Sequence, residues 1–547
     1  MVDSSFTQFL GTNYAATDHE ILEIEKLIAE PTRQLCSIEA EITDLQKAID
    51  KLEEKLLPPY AYVDGYKALT SPIRRMPPDV LSEIFIACLP AHRNCIMSAS
   101  EAPVLLGRIC SSWRALSLAT PRLWASLHIV EPTRTPYGGF PDVAAKRAQR
   151  LETMRTWLGR SGQCPLSISV HSGGSYHSPV DSPATESAEE DDPIIEQLIL
   201  FASRWQRVCF VHPFRTIQAL AHLKGEDVPL LDKIEVVLND GGSPESPAAP
   251  SSLRWPYFEL LECPLITSFS TNGRHFGNPD AIPLRWGHLE EVSIGGSAYQ
   301  SALEGSQALQ LLSQCNRLRT CKLVVNMMVM HPIPIGHALV ELPLLRTLQL
   351  NLLGRPLSAL LDRVSAPELR TLVLRGDGEG IPSFLSSCSR LEHLAIGICD
   401  GEASDLSDSL RILPPTMLHI SLHDTRYHSP PAKPLDDSIL AILAQNCPAL
   451  ETLEIGPNSN ISDAALEQFV IQRMAMSEAP SLQRVGVVFG RPMKYAIKPR
   501  LKQFTESGLE LDLSYGEESD LDDWSPLYGL DDGLPRSRTM WWSFPVW

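Results

Sequence analysis

Leu369-Arg-Thr-Leu372-Val-Leu374 is followed, 22 residues on, by Leu391-Glu-His-Leu394-Ala-Ile396, and the two hexads share one spacing. Apolar residues stand at i, i+3 and i+5. The last two alternate with their neighbours, as on a strand with one buried face. The same spacing recurs at Leu318-Cys321-Leu323, Leu345-Leu348-Leu350, Met417-Ile420-Leu422, Leu450-Leu453-Ile455 and Leu482-Val485-Val487. Weaker copies stand at Trp205-Val208-Phe210, Leu231-Ile234-Val236 and Leu289-Val292-Ile294. From Leu289 onward the intervals are 29, 27, 24, 22, 26, 33 and 32 residues. Each copy predicts one strand, and the rest of the interval returns by a helix or loop. One such unit cannot bury its apolar face alone, but stacked units can. Three positions upstream of the copies stand Cys315, Leu342, Ala366, Cys388, Cys447 and Ala479. A position shared by Cys, Ala and Leu marks these thiols as packing groups rather than nucleophiles.

Working outward toward the N-terminus, Pro72–Trp124 is predicted to be helical. Pro77 and Pro78 suit the start of a helix, where a missing N–H costs nothing. Val80, Leu81, Ile84, Phe85 and Cys88 then share one face, and Pro90 stops the helix. A second helix is expected from Ser100 as N-cap, with Leu105, Leu106, Ile109, Cys110, Trp113 and Leu116 on one side. About fifty residues are too few to bury this many large apolar groups on their own, so part of that surface should meet a partner or a neighbouring domain. Upstream, Ile21, Ile24, Ile28, Leu35, Ile38, Ile42, Leu45, Ile49, Leu52 and Leu56 follow the 3–4 steps of a heptad seam, with Pro31 in one seam position. Pro31 is expected to break or kink that helix and Pro58-Pro59 to end it. Residues 35–56 could pack on their own protein or associate with a second copy.

Two families are resembled. The hexads look like a leucine-rich-repeat solenoid, although most copies lack that family's Asn or Cys after the second Leu. Met76-Pro77, the Val80-Leu-x-x-Ile84-Phe85 helix, Ile109-Cys110-Ser-Ser-Trp113 and Leu123-Trp124 together resemble the F-box. Met76 stands where that family usually has Leu. The order of the two motifs, with Trp157-Leu158-Gly-Arg-Ser-Gly-Gln-Cys-Pro-Leu166 between them, is similar to the large fungal F-box families. This resemblance implies an α/β chain with a coiled-coil-like helix and an F-box module, then an irregular repeat solenoid. It also implies docking to a Skp-type adaptor of a cullin–RING ubiquitin ligase through Met76, Pro77, Val80, Leu81, Ile84, Phe85, Leu105, Ile109 and Trp113. The role implied is substrate receptor, with catalysis in other subunits. A scaffold that binds the adaptor outside a ligase is the alternative.

The expected layout is a mobile start (1–20), a coiled-coil-like helix (21–57), an F-box-like domain (70–126), a solenoid (140–514), and an acidic tail with an aromatic end (515–547). Pro/Ser/Gly-rich insertions at 171–193 and 240–251 are expected to be disordered. The chain has 547 residues and a net charge of −19, which argues against a general nucleic-acid or anionic-membrane binder. No apolar run reaches the ~20 residues of a membrane span. The start, Met1 to Phe6, lacks a basic and then apolar leader, and the 12 Cys form no Cys-x-x-Cys pair. Cytoplasm or nucleus, with reduced thiols, is the expected location. No Gly-x-Ser-x-Gly, Walker A or His-Glu-x-x-His sequence occurs, so no enzyme activity, cofactor or metal is expected.

On a repeat strand, the residues that alternate with the buried pair face outward. This predicts a row of Thr371, His393, His419 and Thr452 across four repeats, with Gln349, Arg375, His423 and Glu454 beside it, as the place where a protein substrate binds. The three histidines suit a metal by type, yet no carboxylate or thiolate completes a site. A polar binding surface is the preferred reading.

Overall fold

The computed structural model describes residues 6, 14–131, 143–171, 193–212, 218–238, 258–272, 278–295, 302–326, 339–356, 358–377, 381–398, 403–424, 435–475, 482–489, 491 and 493–515. The inserted segments and the acidic, aromatic tail read from the sequence fall almost wholly outside them. The chain divides into two compact units, 1–84 and 85–547. The fold is mixed α/β, with a long N-terminal helix and a large parallel sheet.

The first unit is dominated by helix α1, Asp18–Thr70. Glu20 starts it by accepting from the backbone N–H (2.8 Å) and hydroxyl (2.7 Å) of Thr17, one half of a capping box. Ion pairs one turn apart, Arg33–Glu30 at 2.9 Å and Lys47–Asp44 at 3.1 Å, lie along its surface. The helix runs on through Pro31, where the sequence predicted a break or kink, and through Pro58 and Pro59, where it predicted an end. Each proline removes one N–H, which orphans the carbonyls of Leu27, Glu54 and Lys55. These residues are exposed, so water takes over the lost bonds, and the long flanking stretches outweigh the local cost. A 3-10 turn, Pro72–Arg75, follows. Helix α2, Pro78–Ala87, begins in this unit.

The second unit opens with helices α3, Leu106–Ile109, and α4, Ser111–Ala119. The single helix expected from Ser100 is therefore two short ones. Cys110 is fully extended between them (φ −156°, ψ 170°) and turns the chain. Phe85 is fully buried and meets Trp113 with ring centroids 4.8 Å apart. Trp124 packs edge-on against Trp157 at 4.8 Å, and its indole N–H donates to the Ser117 carbonyl at 2.8 Å. The terminal Leu123-Trp124 of the F-box-like stretch thus belongs to the core beneath the first strand. The division of the chain falls at 84/85, inside the region read as a module of its own.

The strands are β1 Ser126–Val130, β2 Leu166–His171, β3 Trp205–His212, β4 Lys233–Leu238, β5 Ser268–Thr271, β6 Glu291–Ile294, β7 Leu303–Glu304, β8 Thr320–Asn326 and β9 Val340–Glu341. They continue as β10 Thr347–Pro356, β11 Val364–Ser365, β12 Thr371–Asp377, β13 His393–Ile398, β14 His419–Asp424, β15 Thr452–Ser459, β16 Arg484–Phe489 and β17 Glu510–Tyr515. Fourteen of them form one continuous path in chain order, from β1 through β6, then β8, β10 and β12 to β17. The short β7 joins the side of β8, and β9 pairs with β11 apart from the sheet. All pairings are parallel, so each connection must return to the starting edge. Helix α5, Val143–Arg160, and helix α6, Pro193–Ile199, are two such returns.

All three apolar residues of each of the ten hexads are buried. The sheet also contains copies the spacing did not single out. Trp124-Leu127-Ile129 keeps the pattern intact, and its first member is the last residue of the stretch read as helical. Ile266-Phe269-Thr271 supplies β5 with a threonine as its third member. The upstream thiols are core groups: Cys315, Cys388 and Cys447 are fully buried. Burial raises the Cys315 thiol to about 12 and the Cys447 thiol to about 11, which leaves both inert at neutral pH.

Candidate binding face of the sheet

Residues that alternate with the buried pair line up across the strands in parallel rows. Thr347, Thr371, His393, His419, Thr452 and Arg484 are successive register partners. The expected row of Thr371, His393, His419 and Thr452 is therefore continuous. Its companions fall into two further rows. Gln349 and Glu454 lie two residues along their strands, with Val373, Ala395 and Ser421 between them. Arg375 and His423 lie four residues along, on either side of Gly397. An open depression of about 280 Å³ is floored by Thr371, His393, His419, Thr452, Ser421 and Glu454.

The rings of His393 and His419 stack at 4.3 Å, only 7° from parallel. Burial, reinforced by His419, holds His393 below its ordinary range. Glu454 is raised by burial, partly offset by Arg484 at 3.5 Å. His423 is more enclosed than His393. Its Nε2 lies 2.7 Å from the Ser421 hydroxyl. Burial, and then the Arg375 guanidinium, lower it to about 4. Gly456 makes room for this ring, because a Cβ there would lie 2.2 Å from His423 Nδ1. The sequence placed His423 on the same face as His419. It could not show that Gly456 lets the ring sink into the sheet. Among the described residues no group of three or more His, Cys, Asp or Glu is placed to hold a metal.

The same face carries a second depression that the sequence reading missed, about 410 Å³ in volume and spanning β2 to β8. Arg207, Lys233, Lys322, Glu235 and Glu291 line it together with Ser and Thr hydroxyls. Lys233 Nζ donates to Glu291 at 2.8 Å. Burial raises the Glu235 carboxyl and, more strongly, the Cys209 thiol beside it. Placing the weak hexads at 205 and 231 in register with Leu318 would have exposed this row. Both depressions present hydrogen-bonding groups of mixed charge on a rigid backbone, an arrangement suited to an extended peptide or protein surface.

The residues assigned to adaptor docking divide by burial. In the first unit Met76, Pro77 and Val80 are exposed, Ile84 is half-buried and Leu81 is buried. In the second unit Leu105 and Ile109 are exposed, Trp113 is half-buried and Phe85 is buried. Leu81 and Phe85 are thus core residues, and the other apolar groups are available to a partner to differing degrees.

No protein-family model matches this chain, and no curated protein matches it in sequence. Among solved structures, the crystal structure of the Rad7 and Elc1 complex in yeast is similar at 17% identity with a TM-score of 0.32. The alignment covers 58% of this chain and 83% of that one. A likeness this distant carries no functional argument.

Proposed function

We propose that this chain is the substrate-recognition subunit of an SCF-type cullin–RING ubiquitin ligase, working in the cytoplasm or nucleus. Its repeat sheet is then a leucine-rich-repeat-like solenoid, and its F-box-like elements dock a Skp-type adaptor. The observation that carries the reading is the exposure of Met76, Val80, Leu105 and Ile109 inside segments that resemble the F-box in order and spacing. Large apolar side chains left exposed within such segments favour a partner over water. Substrate binds the open face of the sheet, at Gln349, Thr371, Arg375, His393, His419, His423, Thr452 and Glu454. The chain needs no catalytic group or cofactor of its own, because it acts by raising the concentration of substrate beside the charged ubiquitin carrier.

The test is co-purification of adaptor and cullin with the full chain and with a Val80→Glu/Ile109→Glu variant. Both positions are exposed, so the variant keeps its fold. Loss of both partners in the variant supports the reading. Capture of adaptor without cullin by the unaltered chain points to the scaffold alternative. Undiminished capture by the variant overturns the assignment.

A further inference from the structure

Because α1 is unbroken, its heptad seam keeps one register from Ile21 to Tyr66. With Leu35 at position a, the a residues are Ile21, Ile28, Leu35, Ile42, Ile49, Leu56 and Val63. The d residues are Ile24, Pro31, Ile38, Leu45, Leu52, Pro59 and Tyr66. Eleven of these side chains are 42–59% exposed. Together they offer on the order of 900 Å² of apolar surface, close to one partner's share of a standard protein interface. A solvated helix has no use for so long a stripe.

We propose that α1 pairs with α1 of a second copy of this chain, as a parallel, in-register two-stranded coiled coil. Three observations choose this occupant. The seam has the spacing of a coiled-coil interface, narrower than the stripe of a helix lying on a globular core. In the two central heptads β-branched Ile at a (Ile42, Ile49) with Leu at d (Leu45, Leu52) favours two parallel strands, while Leu35/Ile38 reverses the order and Ile21/Ile24 is Ile at both. In parallel register the flanking contacts of the central heptads join Gln34 with Glu39, Glu41 with Gln46 and Ala48 with Glu53, so no like charges meet there, and Glu20 with Glu25 at the first heptad is a like-charge contact. The prolines favour the same arrangement. Parallel pairing sets Pro31 against Pro31 and Pro59 against Pro59, which confines poor packing to two layers. Antiparallel pairing would place each proline against an intact position, for instance Pro31 against Leu56 and Pro59 against Ile28, and spoil four. The proposal rests on α1 alone and is independent of ligase membership. A dimer carries every binding face twice, so a substrate with two recognition segments would be held by avidity.

The test is light scattering behind gel filtration on the full chain at micromolar concentration. The expected mass is twice the 60.5 kDa of one chain. Ile42→Asp/Ile49→Asp should raise the dissociation constant ~1,000-fold by forcing carboxylates into the seam, and should leave the thermal transition of the sheet in place. Ile42→Val/Ile49→Val should remain dimeric. Under oxidation, Leu52→Cys should form a disulfide with its own counterpart that the unaltered chain does not form. A monomeric unaltered chain overturns the proposal, as does a dimer that survives the Asp pair. A cross-link that appears only when Leu52→Cys is mixed with Leu35→Cys overturns the parallel register.

Discussion

Helix α1 and the parallel sheet are both written as a short apolar spacing repeated many times, yet one leaves its apolar residues in water and the other buries nearly all of them. Leu45 and Leu52 are more than half exposed, whereas Leu372 and Leu391 are fully covered. The difference lies in where the complementary surface comes from. A strand unit brings its own cover, because from Leu289 onward the next hexad arrives beside it within 22–33 residues and the returning segment packs beneath. A heptad seam is half of an interface, and nothing in its own sequence supplies the other half. Periodicity therefore reports which face is apolar, and it reports burial only where the chain also returns.

The sharpest way to test that contrast is to truncate one residue on each side of it. Leu394→Ala should cost ~2–5 kcal/mol and lower the melting temperature of the sheet, because the site is closed on all sides. Leu45→Ala in the seam should shift the same transition by less than ~0.5 kcal/mol in a monomeric background. Equal shifts would mean that the seam is covered within the chain.

A second effect separates residues within the open face. His423 is depressed to about 4 in the fold, against about 6.5 in the unfolded chain. The unfolded state therefore binds the proton first. The stability this group contributes is complete above pH ~6.5 and fades as pH falls toward 4, by up to ~3 kcal/mol. Melting between pH 7 and 4 should show a smaller drop in His423→Gln than in the unaltered chain. An identical drop would place the ring in water.

Gly456→Ala should cost ~1–3 kcal/mol by driving a methyl group into the His423 ring. Adding His423→Ala should recover most of it, and a strictly additive double variant would deny the contact. Smaller still is Tyr515→Phe, expected to cost ~1 kcal/mol. The Tyr515 hydroxyl donates to the buried Asp463 carboxylate at 3.0 Å, which Arg491 also holds at 3.0 Å. At the bottom of the scale, Thr371→Ala/His393→Ala should leave the melting temperature within ~0.5 kcal/mol and act only on substrate capture.

Most of the sheet could be read from the hexads, since a strand with one buried face leaves an alternating signature. The copy at β5 escaped because Thr271 takes the place of an aliphatic residue, and hydropathy cannot tell a buried threonine from a loop one. The continuation of α1 past Pro58 and Pro59 was not legible for a different reason. Proline's cost is local, and the sequence does not show that the orphaned carbonyls face solvent. The row of Thr371, His393, His419 and Thr452 followed directly from the register. The depth of His423, the stacking of His393 on His419, and the groove around Lys233 depend on neighbours more than twenty residues away, which no local window contains. Leu81 illustrates the same limit, as a residue of a recognition-like motif that proves to be core.

The intervals between hexads vary by half their length, but the rows on the open face do not. Adjacent strands are held ~4.8 Å apart by backbone hydrogen bonds whatever the length of the connection behind them. The face is thus a ruler whose graduations are fixed by the peptide group, while the slack is stored on the opposite side. A residue gained or lost in a connection leaves the spacing between Thr371, His393 and His419 unchanged. A whole unit gained or lost moves everything beyond it by one graduation. Change in such a chain is free in steps of one residue behind the face, and quantised in steps of one strand upon it.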